Sequence, residues 1–317
     1  MGTAVSLGDC MLTAFISHPE CHDHDTGDLH PECPRRLHAI EDRLNAALLI
    51  DHLRHLEAPE ATREQLERVH DTVYLNNLER WMPKEGHRNL DPDTVVCPES
   101  LGAARRAAGA VVLAVEQVLG GAARNAFCSV RPPGHNAEHR SATGFCLYNN
   151  IAVGAAHALE VHGLERVAIV DFDVHHGNGT EDIFREEPRI LFCSSFQHPF
   201  YPFIACREQP NHIVCAPLDR TAGSAEFRFE MEEKFLPAVD AFRPQLLMIS
   251  AGFDAHVEDE MSSVSLTEHD YRWITEELLK LAEKHCGSRL VSVLEGGYED
   301  SSLGRSVEAH LRVLMGL

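Results

Sequence analysis

The 317-residue sequence predicts an α/β protein built on an open, mostly parallel sheet with helices on both faces. Three observations carry that expectation. Short apolar runs bounded by Gly, Pro and Asn alternate with longer stretches whose apolar residues recur at three- and four-residue steps. The motifs RPPGH (131–135), DFDVHH (171–176), SAGFD (250–254) and EGGY (295–298) each follow directly on an apolar run. In a parallel sheet they would gather beyond the carboxyl ends of the strands, where open α/β sheets bind ligands. Finally, no Gly/Ser/Pro-rich tract or internal repeat divides the chain, so residues 1–317 read as one domain.

Taken in order, residues 11–17 are a first strand, and 18–36, rich in His, Asp, Pro and Gly, a loop. Pro34 opens a helical pattern marked by Leu37, Ile40, Leu44 and Leu48. Residues 62–81 read as helix broken near His70–Asp71, and 91–100 as an irregular loop. Ser100 is expected to cap an Ala-rich helix reaching Leu119. Strands follow at 125–130, 167–171, 190–193, 213–216, 246–250 and 290–294, with helices at 150–161, 226–242 and 271–285 between several of them.

Composition narrows the function. With 28 basic against 49 acidic residues the net charge is −21, which argues against a nucleic-acid surface and favours cationic partners. No apolar run has membrane-spanning length. The first twenty residues lack a basic leader, and Asp9 interrupts their apolar stretch, so a cytoplasmic protein is expected. A short myristoylation-like pattern, Met-Gly-x-x-x-Ser, is discounted as a chance match. Cys97, Cys128, Cys146, Cys193, Cys215 and Cys286 are scattered singly, without a C-x-x-C pair, and are expected to be buried free thiols. A homo-oligomer is left open.

The richest stretch is 167–180, VAIVDFDVHHGNGT. Asp171, Asp173 and His175 are spaced two apart, so a continuing extended backbone would present all three on one face. Asp-x-Asp after a strand also suits a phosphatase nucleophile and acid, or a solvated turn. The added imidazole points instead to a borderline divalent ion, which takes Asp oxygen and His nitrogen. A second small metal site from His22, His24 and His30 is conceivable, although loop histidines are more often solvated.

With HPEC (30–33), RPPGH, GFCLYNN (144–150), DFDVHHGNGT (171–180), SAGFDAH (250–256) and LEGGY (294–298) in order, the sequence resembles the histone deacetylase family. The HHGNG run and FQHPFYP (196–202) are similar to its class II and bacterial branch, which includes deacetylase-like and acetylpolyamine amidohydrolases. The resemblance implies an arginase/deacetylase fold and a single catalytic domain that hydrolyses the acyl amide of acyl-lysine or an acetylpolyamine. It assigns Asp173, His175 and Asp254 to one Zn2+, which would polarise the amide carbonyl and activate water. Tyr298 becomes the hydroxyl donor to the oxyanion, and Asp171 the carboxylate that orients His135; Asn178 counts among the catalytic residues. Gly144, Phe145, Phe200 or Tyr201, and Met261 would line a narrow apolar slot. Arg36 would lie near its floor and Asp91 or Asp93 at its mouth, and the backbone around Asp171, with Ser195 and Phe196, would hold a structural K+.

One position departs from the family pattern. Pro-Gly-His-His is expected where the chain has His135–Asn136, and an Asn amide cannot act as general base. Three readings stay open: His135 takes over proton transfer; the chain is a weakened zinc-containing binder of acyl-lysine; or Asn136 is an engineered replacement. His139 lies nearby in sequence. A metallohydrolase of small amides or esters is a further alternative. Arginase-like two-metal chemistry is weaker, because the stretch supplies ligands for one ion only.

Overall fold

In the computed structural model, which describes residues 12–204, 206 and 211–317, strands and helices follow one another from the first strand onward. The strands are β1 (Ala14–Ser17), β2 (Arg54–Glu57), β3 (Arg88–Asn89), β4 (Val95–Val96), β5 (Asn125–Cys128), β6 (Val167–Asp171), β7 (Ile190–Gln197), β8 (Ile213–Leu218), β9 (Leu246–Ala251) and β10 (Leu290–Leu294). The helices are α1 (Arg35–Ala46), α2 (Arg63–Glu67), α3 (Thr72–Trp81), α4 (Ser100–Leu119), α5 (Asn150–Glu160), α6 (Asn178–Phe184), α7 (Ser224–Glu230), α8 (Leu236–Phe242), α9 (Glu268–Cys286) and α10 (Asp300–Met315).

Eight strands form one sheet in the order β2-β1-β5-β10-β9-β6-β7-β8, every pair parallel. The central strands VAIVD, LLMISA and LVSVL are buried along their whole length, as expected of strands covered on both faces. Helices α4 and α5 cover one face, while α1, α9 and α10 pack together on the other. Small residues let α4 sit close: Ala103, Ala104, Ala107, Ala108 and Ala110 are buried, and a Cβ on Gly109 would collide with the Pro59 carbonyl. The register keeps the site-bearing strands level, since Cys128 pairs with Val293, Val293 with Ser250, and Ser250 with Asp171.

The structure departs from the sequence expectations at several points. β2, Arg-His-Leu-Glu, was not foreseen. It is a polar edge strand whose residues alternate between half-buried and exposed, so it lacks the apolar run that marks the others. The first strand begins at Ala14, and Met11, the stretch around Asp9 and the myristoylation-like pattern lie outside the described residues. Ser100 does not cap α4: its hydroxyl reaches back to accept from the Cys97 N–H at 2.8 Å and meets His24 Nδ1 at 2.8 Å. Asp71, by contrast, caps α3 by accepting from the N–H groups of Val73 and Tyr74. Cys97, Cys128, Cys146, Cys193 and Cys286 are buried free thiols, but Cys215 forms a disulfide with Cys206. Its partner sits in the loop before β8, where sequence spacing gives no hint of pairing. Among the described residues, no helix is long and apolar enough to cross a membrane.

Candidate active site

RPPGH, EGGY, AGFD and DFDVHH leave the carboxyl ends of β5, β10, β9 and β6, four consecutive neighbours at the centre of the sheet. The extended run through His175 does not form. β6 ends at Asp171, whose Oδ1 accepts the Asp173 N–H at 3.1 Å, and Asp173 Oδ1 then accepts the His175 N–H at 2.8 Å. This curl, rather than a strand face, brings the side chains together. His175 Nδ1 lies 3.0 Å from Asp173 Oδ1 and 3.0 Å from Asp254 Oδ2. All three residues are buried and offer one ligand atom each within 4.8 Å of one another.

The surroundings suit a cation there. A Cβ on Gly252 would collide with the Asp173 carboxylate, and one on Gly296 with those of both Asp254 and Asp173, so the loops after β9 and β10 approach this closely because they are glycine. Asp173 Oδ2 accepts the Gly296 N–H at 2.7 Å and Asp254 Oδ1 the Val174 N–H at 2.9 Å. Burial, then the charge of Asp173, pushes Asp254 up to about 6. Burial opposes a proton on His175, yet Asp254 and Asp173 outweigh it and raise the ring to about 10. The cluster therefore demands positive charge, and two carboxylates with one imidazole form a donor set that fits a divalent metal.

His135 stands beside this group. Its Nδ1 is 2.9 Å from Asp171 Oδ2 and its Nε2 is 3.8 Å from Asp173 Oδ1. Burial disfavours the charged ring, but Asp171 and Asp173 hold its pKa well above the ordinary histidine value. Asn136 is held differently. Its Nδ2 donates to the His176 carbonyl at 2.9 Å and to Asn178 Oδ1 at 2.8 Å, and Asn178 in turn donates to Glu138 Oε1 at 2.8 Å. Because the His176 partner is a carbonyl, the amide orientation is fixed: Nδ2 is committed and Oδ1 remains an acceptor.

Tyr298 lies under the Arg36 guanidinium, 4.8 Å from its ring centre. Burial, opposed by Arg36, keeps the phenol's pKa well above normal. A cavity of about 160 Å³ is lined by Asp93, Asn136, Gly144, Phe145, His175, Phe200, Tyr201, Met261 and Tyr298. Phe200 and Tyr201 both contribute. Phe200 stacks on His175 with centroids 5.4 Å apart, and the Tyr201 hydroxyl lies 2.7 Å from Thr143 Oγ1. Gly144 and Phe145 both have positive φ, +59° and +67°, a strained turn for Phe145 that aims its ring edge-on at Tyr298, 5.8 Å away. A larger cavity, about 290 Å³, lies at the opposite, amino ends of the strands between Leu12, Leu49, Arg124 and Leu314 and contains none of these residues.

Other sequence candidates fall outside the cavity. His139 turns away, its Nδ1 bonded to the Val69 carbonyl at 2.8 Å. Asp91 is a turn carboxylate accepting from the N–H groups of Asp93 and Thr94. Ser195 and Phe196 lie behind the cluster, Ser195 Oγ 3.5 Å from the Asp171 carbonyl and Phe196 against His176. His22, His24 and His30 do not converge: His24 bonds Ser100, and His30 sits between the Glu32 and Asp93 carbonyls.

The structure also shows supports that sequence reasoning missed. Buried Glu295 accepts the N–H groups of Gly134 and His135 at 2.7 and 3.1 Å and the Ser250 hydroxyl at 3.0 Å, fixing the RPPGH turn. Burial pushes it up to about 7. Asp259 accepts the Tyr298 N–H at 2.6 Å. Glu32 pairs with Arg131 and Arg36, and Arg36 donates to the carbonyls of Gly297 and Glu295. A charge directly after the apolar run LVSVL was the available signal for Glu295, whereas Glu32 lies in the polar stretch HPECPRR. Asp259 carried no signal.

Residues 30–314 match the histone deacetylase domain. The chain is 36% identical over 279 residues to the histone deacetylase-like amidohydrolase of Pseudomonas aeruginosa, covering 86% of this chain and 73% of that protein. It is 34% identical over 335 residues to polyamine deacetylase HDAC10 of Mus musculus, spanning all of this chain but 48% of that longer protein. The crystal structure of the HDA15 HD domain superposes with a TM-score of 0.90 at 33% identity, covering 96% of this chain and 88% of that one. These likenesses support a deacylase, a hydrolase of amides. The chain belongs to the histone deacetylase family, and its fold is that of a deacetylase domain.

Proposed function

We propose that the protein is a zinc-dependent deacylase acting on acyl-lysine or acetylated polyamines. One observation carries this reading: His175, whose ring joins Asp173 and Asp254 in the buried cluster, also lines the cavity walled by Phe145, Phe200, Tyr201 and Met261. Such a slot takes an extended methylene chain and leaves its terminal amide at the cluster. Zinc held by these three residues would supply Lewis-acid polarisation of the carbonyl and a lowered pKa for attacking water. Tyr298, kept protonated by burial, donates a hydrogen bond to the developing oxyanion. Asp171 orients His135 through Nδ1, and with the charge of the carboxylates offset by a bound cation Nε2 would be free to take the proton from water and return it to the amine. A K+ at Asp171, Ser195 and Phe196 belongs to the same reading as a structural ion.

Asn136 favours a second reading. Its free acceptor can orient water but cannot carry a proton, so a chain in which His135 does not suffice would bind acyl-lysine without turning it over. Zinc-loaded turnover of acetyl- and trifluoroacetyl-lysine peptides, by the chain itself and by Asn136→His and Tyr298→Phe, decides between them. Activity in the chain itself that Tyr298→Phe abolishes supports the enzyme; activity in Asn136→His alone supports the binder.

A further inference from the structure

Away from the deacylase cleft, His22, His38 and Glu41 come together from two elements. His22 closes the short turn Pro19–His22 that follows β1, whereas His38 and Glu41 lie three residues apart on α1 and so share one helix face. The two imidazole rings are 4.5 Å apart at 36°, and His22 Nε2 is 3.9 Å from Glu41 Oε1. Each residue can place one ligand atom within 4.8 Å of the other two.

Several features separate this group from an ordinary surface cluster. His22 Nδ1 is buried without a hydrogen-bond partner, and Nε2, the ring nitrogen facing Glu41, has only that carboxylate 3.9 Å away, so neither nitrogen is committed to a protein hydrogen bond. The similar group Glu116–His157–His162 is already spent: both rings are bonded to Glu116 Oε1, at 2.6 and 3.0 Å, and Arg68 donates to His157 Nδ1. His24 and His30 are likewise committed to protein partners. The His22 group has no comparable internal bond; its one carboxylate contact is the loose 3.9 Å pair.

We propose that His22, His38 and Glu41 form a second divalent-metal site, of the two-imidazole, one-carboxylate kind that zinc takes, with its remaining positions open to water. His38 is exposed and the other two half-buried, so an ion can enter from solvent. Bound there, it ties the turn after β1 to α1. Two residues before His38, that same helix carries Arg36, which holds the Gly297 and Glu295 carbonyls and covers Tyr298. The ion is therefore a staple on the support of the cleft rather than a reactant.

The test is titration of the metal-free full chain, any affinity tag removed, with Zn2+ and separately Co2+, counting equivalents by elemental analysis and following the Co2+ absorption. The unmutated chain is expected to take up one equivalent more than His22→Ala/His38→Ala, and Asp254→Asn to retain the equivalent that the double variant loses. His38→Gln alone, at an exposed position that leaves packing intact, should weaken that equivalent more than about tenfold while the other stays unchanged. If the double variant and His38→Gln bind as many equivalents as tightly as the unmutated chain, the site does not exist. Loss of metal only in Asp254→Asn would overturn this site while leaving the deacylase reading standing.

Discussion

Asn136 and Tyr298 face the same cavity but hold opposite kinds of hydrogen-bonding capacity. The Tyr298 hydroxyl is a donor kept protonated by burial; Asn136 has both donor positions occupied and only an acceptor left. Tyr298→Phe is expected to lower kcat by about 10²–10³-fold with little change in KM, measured on trifluoroacetyl-lysine peptide. Asn136→His is expected to raise kcat, because an imidazole adds the proton carrier that the amide lacks. The identities of these residues were legible in the sequence, as were Asp173, His175 and Asp254, because each sits in a short motif after an apolar run. What could not be read was how they meet. Spacing by two suggested a strand face, but the Asp171 and Asp173 carboxylates accept the next N–H groups and curl the chain, and such local competition with extended structure depends on side-chain orientation.

At the level of elements, the support for the site is an ion cluster that joins the loop before α1 to β5 and β10. Burial alone would raise the Glu32 carboxyl, but Arg131, His24 and Arg36 win and hold it at about 2. A carboxylate whose folded pKa is depressed stabilises the fold above its unfolded value, near 4.5, and loses that contribution as pH falls toward about 2. Acid unfolding should therefore steepen within that window. Glu32→Gln should cost about 3–5 kcal/mol at neutral pH, because it leaves buried Arg131 and Arg36 unpaired, and should flatten the acid limb; chemical denaturation across pH reads both. The disulfide gives a second check at this scale: thiol titration of the denatured chain should find two more groups after reduction than before, from Cys206 and Cys215. Helix positions were largely legible because periodicity is local, whereas β2 was not, since an edge strand covered on one side needs no apolar run.

For the molecule as a whole, the sheet and its charge set the expectations. Metal removal by chelator should lower thermal stability, by about 3 kcal/mol when the loaded state was measured at a hundredfold excess over Kd, and zinc should restore it. The net charge of −21 predicts that kcat/KM for a cationic acetylated polyamine falls as salt rises, whereas a neutral acyl-lysine peptide is far less affected; a substrate pair with equal salt dependence would remove charge from the account of specificity. The parallel α/β architecture was legible from alternation alone, but the strand order was not, because pairing between β5 and β10 joins segments far apart in the chain.

That strand order has a consequence for how the cleft breathes. Its floor hangs from β5, β10, β9 and β6, each hydrogen-bonded to a neighbour on both sides, so their amides should exchange with deuterium only when the whole molecule opens. Phe200 and Tyr201 lie instead beyond the end of β7, outside its hydrogen-bonded ladder, so their amides are expected to exchange sooner than those of the floor. Deuterium uptake should thus divide the cavity into a slow floor and a fast wall. On the proposed reading, the reacting amide would sit against the paired centre of the sheet, while its carrier chain would pass residues that lie outside it.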